Sequence, residues 1–170
     1  GSEMCIRDRH AFPWLFDEKR NTPAAMAQHR WEHRAQLRAN NWTLDFIARD
    51  AKTQELVGVV DLSAENFAAA REVQTASWVL HRFQGQGYGT LIRQAVAEFS
   101  FTHLDAHSLR TCWIETNLAS ARVSEKMGYR ISTEKKEEPA GPEKINRPVV
   151  SARLSAADYH RPDGLQLEVT

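Results

Sequence analysis

The sequence predicts one mixed α/β domain, and three observations carry that expectation. Its 170 residues fall within the roughly 100–200 usual for a domain. A hydrophobic content of 42%, with five Trp, three Tyr and seven Phe, is enough to build a core. Strand-like and helix-like segments then follow one another in the order α-β-β-β-α-β-α-β-β, without internal repeat.

Taken in order, His10–Phe16 is aromatic-rich and broken by Pro13, which reads as an extended segment or loop packing against something. Asn21 or Thr22 caps a helix with Pro23 at its first position. That helix runs to about Ala39, with Met26, His29/Arg30, His33 and Leu37 near one face. Trp42–Ala48 alternates as a strand, Asp50–Gln54 is a polar turn and Glu55–Leu62 is the second arm of a hairpin. A loop over 63–72 leads to a third strand, Val73–Leu80. After glycines 85, 87 and 89, a helix spans about Tyr88–Thr102. Leu109–Glu115 is a strand, and Leu118–Met127 a helix ended by Gly128. Tyr129–Lys135 begins a strand, charged and proline-bearing Lys136–Asn146 is a loop, and Arg147–Leu154 is the last strand. Residues from Asp163 onward read as a frayed tail.

Lys+Arg and Asp+Glu both number 22. Zero formal charge argues against nucleic-acid or anionic-membrane partners bound by bulk electrostatics. No apolar run approaches the roughly 18 residues of a membrane span, and no signal-peptide stretch opens the chain. Cys5 and Cys112 lie too far apart for a disulfide framework or metal motif, so a cytoplasmic location is expected. Gly1-Ser2 reads as a tag scar. Glu3–Arg9 (EMCIRDR) resembles a translated sequencing adapter, as expected of a metagenomic gene missing its 5′ end; a native N-terminus is the alternative. The division expected is therefore 1–9 foreign, 10–162 domain and 163–170 tail.

The chemistry concentrates at Gln84-Gly85-Gln86-Gly87-Tyr88-Gly89, between a strand and a helix. Glycines let the backbone approach a ligand, and the N–H groups opening the helix favour an anion such as a pyrophosphate. A plain strand-to-helix turn is the bland alternative. The P-loop pattern fails because no Lys-Ser/Thr follows, and G-x-G-x-G is not the dinucleotide spacing G-x-G-x-x-G.

Gln84-x-x-Gly87-x-Gly89 matches the acyl-CoA motif Q/R-x-x-G-x-G/A, and here the chain resembles the GNAT N-acetyltransferases. Asn117-x-x-Ser120-x-Arg122, followed by Glu125-Lys126-Met127-Gly128-Tyr129, is similar to the corresponding segment of the RimJ/RimL-type branch. Arg153-Leu154-Ser155-Ala156-Ala157-Asp158-Tyr159 is similar to that branch's ending. The resemblance covers roughly residues 40–160. It implies the GNAT fold, a mixed, mostly antiparallel sheet flanked by helices, here with the first strand missing and an edge open to pairing. It also implies direct acetyl transfer from acetyl-CoA to a primary amine, either a protein N-terminus or a small amine such as an antibiotic.

Under this resemblance the cofactor residues are Ser77, Trp78 and Val79 through free backbone, Gln84, Gly85, Gln86, Gly87, Tyr88, Gly89 and Thr90 around the pyrophosphate, and Asn117 and Arg122. Ser120 is the family-matched proton donor to the leaving thiolate; helix capping is its alternative role. Glutamate is frequent where this chain has Gln74, so Glu72, two residues away on the same strand face, is the favoured base. A surface ion pair is the competing reading for Glu72, and Asp61 and Glu65 are alternative carboxylates. Cys112 reads as a buried apolar residue. His29 and His33 read as helix surface without metal spacing. Phe12, Trp14, Phe16, Trp31 and Trp42 are candidates to wall an acceptor cleft, with core packing the alternative, and 136–147 is a candidate lid or a connector. A homodimer, strand-swapped or otherwise, and a non-catalytic acyl-CoA-binding module remain alternatives.

Overall fold

The structure, a computed structural model, describes residues 22–134, 136–140 and 145–169. The expectations for the tag scar, the adapter-like segment, a missing first strand, His10–Phe16 and Asn21 lie outside the described residues. Helix α1 (Pro23–Ala35) begins as the capping pattern requires, with Thr22 Oγ1 accepting from the Ala25 N–H at 3.1 Å. It stops four residues short of Ala39. The Arg38 guanidinium folds back onto the Ala35 and Leu37 carbonyls, satisfying acceptors that another helical turn would have used.

Strands β1 (Trp42–Arg49) and β2 (Leu56–Ala64) form the expected antiparallel hairpin. Its turn is set by Asp50, whose side chain accepts from the Lys52 and Thr53 N–H groups at 2.9 and 2.8 Å. The expected loop 63–72 contains a short helix, α2 (Phe67–Ala70). Its N-terminal N–H groups are met by distant side chains: Asn41 accepts from Asn66 and Asn40 from Ala68. Four residues are too few to show periodicity, so local sequence carries no sign of it.

Strand β3 (Glu72–Val79) is followed by a 3-10 turn at His81–Phe83, the glycine turn and α3 (Tyr88–Thr102), the helix expected from sequence. Then come β4 (Ser108–Ile114), α4 (Leu118–Lys126), β5 (Arg130–Ile131), β6 (Lys136–Ala140) and β7 (Ile145–Ser155). The expected loop 136–146 is corrected: its first five residues are β6, which pairs antiparallel with β7 from Lys136↔Val149 to Ala140↔Ile145, and its last two already belong to β7. Pro139 misled the reading, yet an edge strand tolerates a residue without an N–H.

Among the described residues the sheet has seven strands in the order β1-β2-β3-β4-β7-β5, with β6 also on β7, and β3–β4 is the parallel pair. One face is the core, where Leu62, Val73, Leu109 and Leu154 are fully buried and meet Val96 and Ala97 of α3. Alternation sends the neighbouring side chains to the opposite face. Register therefore lines up Asp45, Asp61 and Ala76 across β1, β2 and β3, and Gln74, Arg110 and Arg153 across β3, β4 and β7. Helix α1 packs on this second face through Arg30 and His33.

Candidate active site

Strands β3 and β4 pair only over Glu72–Thr75 with Ser108–Thr111. Beyond that point β3 stays with β2 as far as Val79, and β4 stays with β7 as far as Ile114. The two strands therefore part, leaving a gap between Ala76–Val79 and Cys112–Ile114. Gly58 supports this geometry. A Cβ there would lie 2.2 Å from the Trp78 carbonyl oxygen, so only glycine lets β2 hold β3 this closely. Its signal in the sequence was a lone glycine inside an apolar strand.

Both segments of the cofactor motifs follow the C-terminal ends of these parted strands, where ligands of parallel α/β units gather. After β3, the Gln84 amide donates to the Val79 carbonyl at 3.0 Å and the Gln86 amide to the Arg82 carbonyl at 2.7 Å. Gly85 and Gly87 have φ of +75° and +89°, a left-handed backbone that favours glycine. Gly87 caps α3 without a side chain, and no acidic residue occupies the helix's first turn. The opening N–H groups of Tyr88, Gly89 and Thr90 are thus presented to an anion. The Tyr88 hydroxyl donates to Asp50 Oδ2 at 2.6 Å, tying the turn to the β1–β2 hairpin. This bond, with the Thr53 and Lys52 N–H groups, lowers the Asp50 pKa to about 2 and raises that of Tyr88.

After β4, Asn117 Oδ1 accepts from the Ser120 N–H at 3.2 Å, so Asn117 caps α4. Ser120 is half-buried on the first turn, and Arg122 is exposed just beyond it. Leu91 and Leu118, each more than half exposed, stand on the first turns of the two helices. Ser77, Trp78 and Val79 line the β3 side of the gap.

The structure does not bring Glu72 to the gap. It opens β3, five residues before Ser77 and so about 16 Å away along the strand. Its carboxylate is held by Arg153, by Arg110 at 3.5 Å and by the Ser108 hydroxyl at 3.2 Å. Asp61 is the carboxylate at the gap. It sits directly across from Ala76, the first residue past the last β3–β4 pair. Its Oδ1 is buried without a hydrogen-bond partner, 3.6 Å from the Arg30 guanidinium. Burial first, and the neighbouring Asp45 second, raise its pKa to about 6. Asp45 is engaged by Arg30 at 2.8 Å and by His33 Nδ1 at 3.1 Å. His33 is therefore half-buried against the sheet, a correction to its reading as helix surface.

Burial raises the Cys112 thiol above its ordinary pKa, which suits an inert side chain. Trp31 is 66% exposed, and Trp42 packs edge-on against Phe67 at 5.3 Å. Glu65 is exposed beyond the end of β2. Phe12, Trp14 and Phe16 lie outside the described residues. A cavity of about 520 Å³ lies elsewhere, among the C-terminal end of α4, Arg130 and Asp158–Pro162. Among the described residues no helix is long and apolar enough to cross a membrane.

The same fold occurs in solved proteins. A spermidine N-acetyltransferase from Vibrio cholerae, in complex with CoA and spermine, superposes with a TM-score of 0.72 at 19% identity, over 85% of this chain and 82% of its own. RimJ from Mycobacterium smegmatis, in complex with CoA-disulfide, gives 0.78 at 16% identity, over 92% and 73%. At such identities the likeness shows the fold. The family follows from the sequence itself, because the acetyltransferase (GNAT) domain model matches residues 3–130. With a gap between parted strands and two helix N-termini at its mouth, the chain belongs to the GNAT acetyltransferases, enzymes whose cosubstrate is acetyl-CoA.

Proposed function

We propose that this chain moves an acetyl group from acetyl-CoA directly to a primary amine that reaches the gap from the Asp61 face. The parting of β3 and β4 at Ala76 carries the reading, because it exposes backbone beside a carboxylate and between two helix N-termini. Acetyl-CoA supplies an activated thioester. The protein's part is to hold, orient and move protons. N–H groups of Gly85–Thr90 hold the pyrophosphate, with Arg122 at the same mouth. The backbone of Ser77–Val79 and the Asn117 amide align the pantetheine arm and polarise the carbonyl.

The amine must arrive neutral, although it is mostly protonated near pH 7. Asp61 takes that proton, which geometry favours over Glu72. The Ser120 hydroxyl donates a proton to the departing thiolate. The core fills the other face of the sheet, so the amine approaches from the Asp61 face, alongside α1. The likeness to a spermidine acetyltransferase and to RimJ supports testing both small polyamines and peptide N-termini.

The test is acetyl transfer with a panel of peptides, polyamines and amine antibiotics, read by mass spectrometry, beside thermal stabilisation by CoA. A ligand that binds only the folded state must raise its melting temperature. No stabilisation at saturating acetyl-CoA and no acetylated product would overturn the assignment. Stabilisation without product would support a binding module instead, and Ser120→Ala should lower kcat without weakening CoA.

A further inference from the structure

Arg93 is the anomaly of the cofactor side. It lies on the second turn of α3 with 6% of its surface exposed. Nη1 donates to Ser124 Oγ at 2.9 Å and approaches the Ser120 carbonyl oxygen at 3.5 Å. The guanidinium sits 4.8 Å from the centre of the Tyr129 ring. Nη2 is buried with no hydrogen-bond partner. Among the described residues no carboxylate pairs with it. The other buried charge on α3, Glu98, is engaged by Arg161 at 3.3 Å and Tyr159 at 3.2 Å.

A buried cation without a counter-ion is costly, and an apolar residue of similar volume usually serves stability better. Its position suggests what compensates it. Arg93 is six residues past the Gly87 cap, about 9 Å along the helix. Helical side chains lean toward the N-terminus, which brings the charge closer still to the uncapped N–H groups. Through Ser124 and the Ser120 carbonyl it also reaches the first turn of α4. Its charge therefore lies behind both helix ends at the mouth of the gap.

We propose that Arg93 is a positioning residue whose counter-charge is supplied by the bound ligand: a buried cation, shielded from solvent, that attracts the phosphates of acyl-CoA and ties α4 to α3. This rests on the acyl-CoA reading of the site. At an effective dielectric constant of about 20, a unit charge about 10 Å from a phosphate charge changes affinity by about tenfold.

The experiment measures two quantities in wild type, Arg93→Met, Arg93→Gln and Arg93→Lys: melting temperature without ligand, and calorimetric affinity for CoA and for uncharged S-acetylpantetheine. Arg93→Met should melt no lower than wild type, bind CoA about tenfold more weakly at low salt, and keep its affinity for S-acetylpantetheine. Arg93→Lys should recover most of the CoA affinity. Arg93→Gln retains a donor toward Ser124 and serves if the Met variant does not fold. A variant that melts lower and loses both ligands equally, or one that binds CoA like wild type, overturns the proposal. Failure of the wild type itself to bind CoA overturns the acetyltransferase reading and this inference with it.

Discussion

Replacing Asp61 by Asn tests the site most directly, because stability and activity should move in opposite directions. The folded-state pKa of about 6 stands above the ordinary 3.8, chiefly through burial. A raised carboxylate pKa contributes stability that is fully present below about 3.8 and is lost as pH rises through about 6. The difference of roughly two pH units corresponds to about 3 kcal/mol at most. The Asp61 side chain is 30% exposed, so solvent screening reduces this to on the order of 1–2 kcal/mol. Asp61→Asn, neutral at every pH, should therefore be more stable than wild type at pH 8 and nearly equal to it at pH 4, as read by urea unfolding. Its kcat with saturating acceptor should fall by about 10²–10⁴. Wild-type kcat should rise through about pH 6, and that limb should vanish in the variant. A variant with wild-type kcat and the same acidic limb would refute Asp61 as the base. A variant less stable at pH 8 would refute the buried-carboxylate argument itself.

Three further outcomes follow from the geometry. Gly58→Ala sets a Cβ against the Trp78 carbonyl, so β2 and β3 must shift; a loss of about 1–3 kcal/mol in thermal unfolding and weaker CoA binding are expected. An unchanged melting temperature would contradict the close approach. Glu72→Gln breaks ion pairs with Arg110 and Arg153, which are 46% and 63% exposed, so stability should fall by less than about 1 kcal/mol with kcat unchanged. A hundredfold fall in kcat would instead restore Glu72 as the base. Tyr88→Phe removes the hydroxyl that holds the Asp50 carboxyl at about 2, so an NMR titration should find it nearer 3.8. A carboxyl still near 2 would show that the backbone N–H groups alone suffice.

Much of this protein was legible in its sequence because the signals are local. Pro23 after Thr22, alternation in Trp42–Ala48, and glycines 85, 87 and 89 before an apolar-periodic run each fix backbone geometry over a few residues. Gln84-x-x-Gly87-x-Gly89 and Asn117-x-x-Ser120 likewise identify two helix N-termini and the family that uses them. Helix α2 escaped because Asn40 and Asn41, some 25 residues away, cap it. Strand β6 escaped because Pro139 and flanking charges suggest a loop until β7 supplies a partner.

The proposed base shows the same divide more sharply. Glu72 and Asp61 were both visible as carboxylates near the motif, and the family resemblance, with Glu frequent where this chain has Gln74, favoured Glu72. Only cross-strand register puts Asp61 beside Ala76 and leaves Glu72 at the far end of β3 between two arginines. Arg93 carried no sequence signal, since its unpaired charge is a matter of burial and of what α4 and Tyr129 fail to offer it. The sequence alone determined the family, the cosubstrate class and the glycine turn that opens α3, because those depend on residues adjacent in the chain. The tertiary structure decided which charges lie at the gap between β3 and β4, because long-range pairing and desolvation set their neighbours and their protonation.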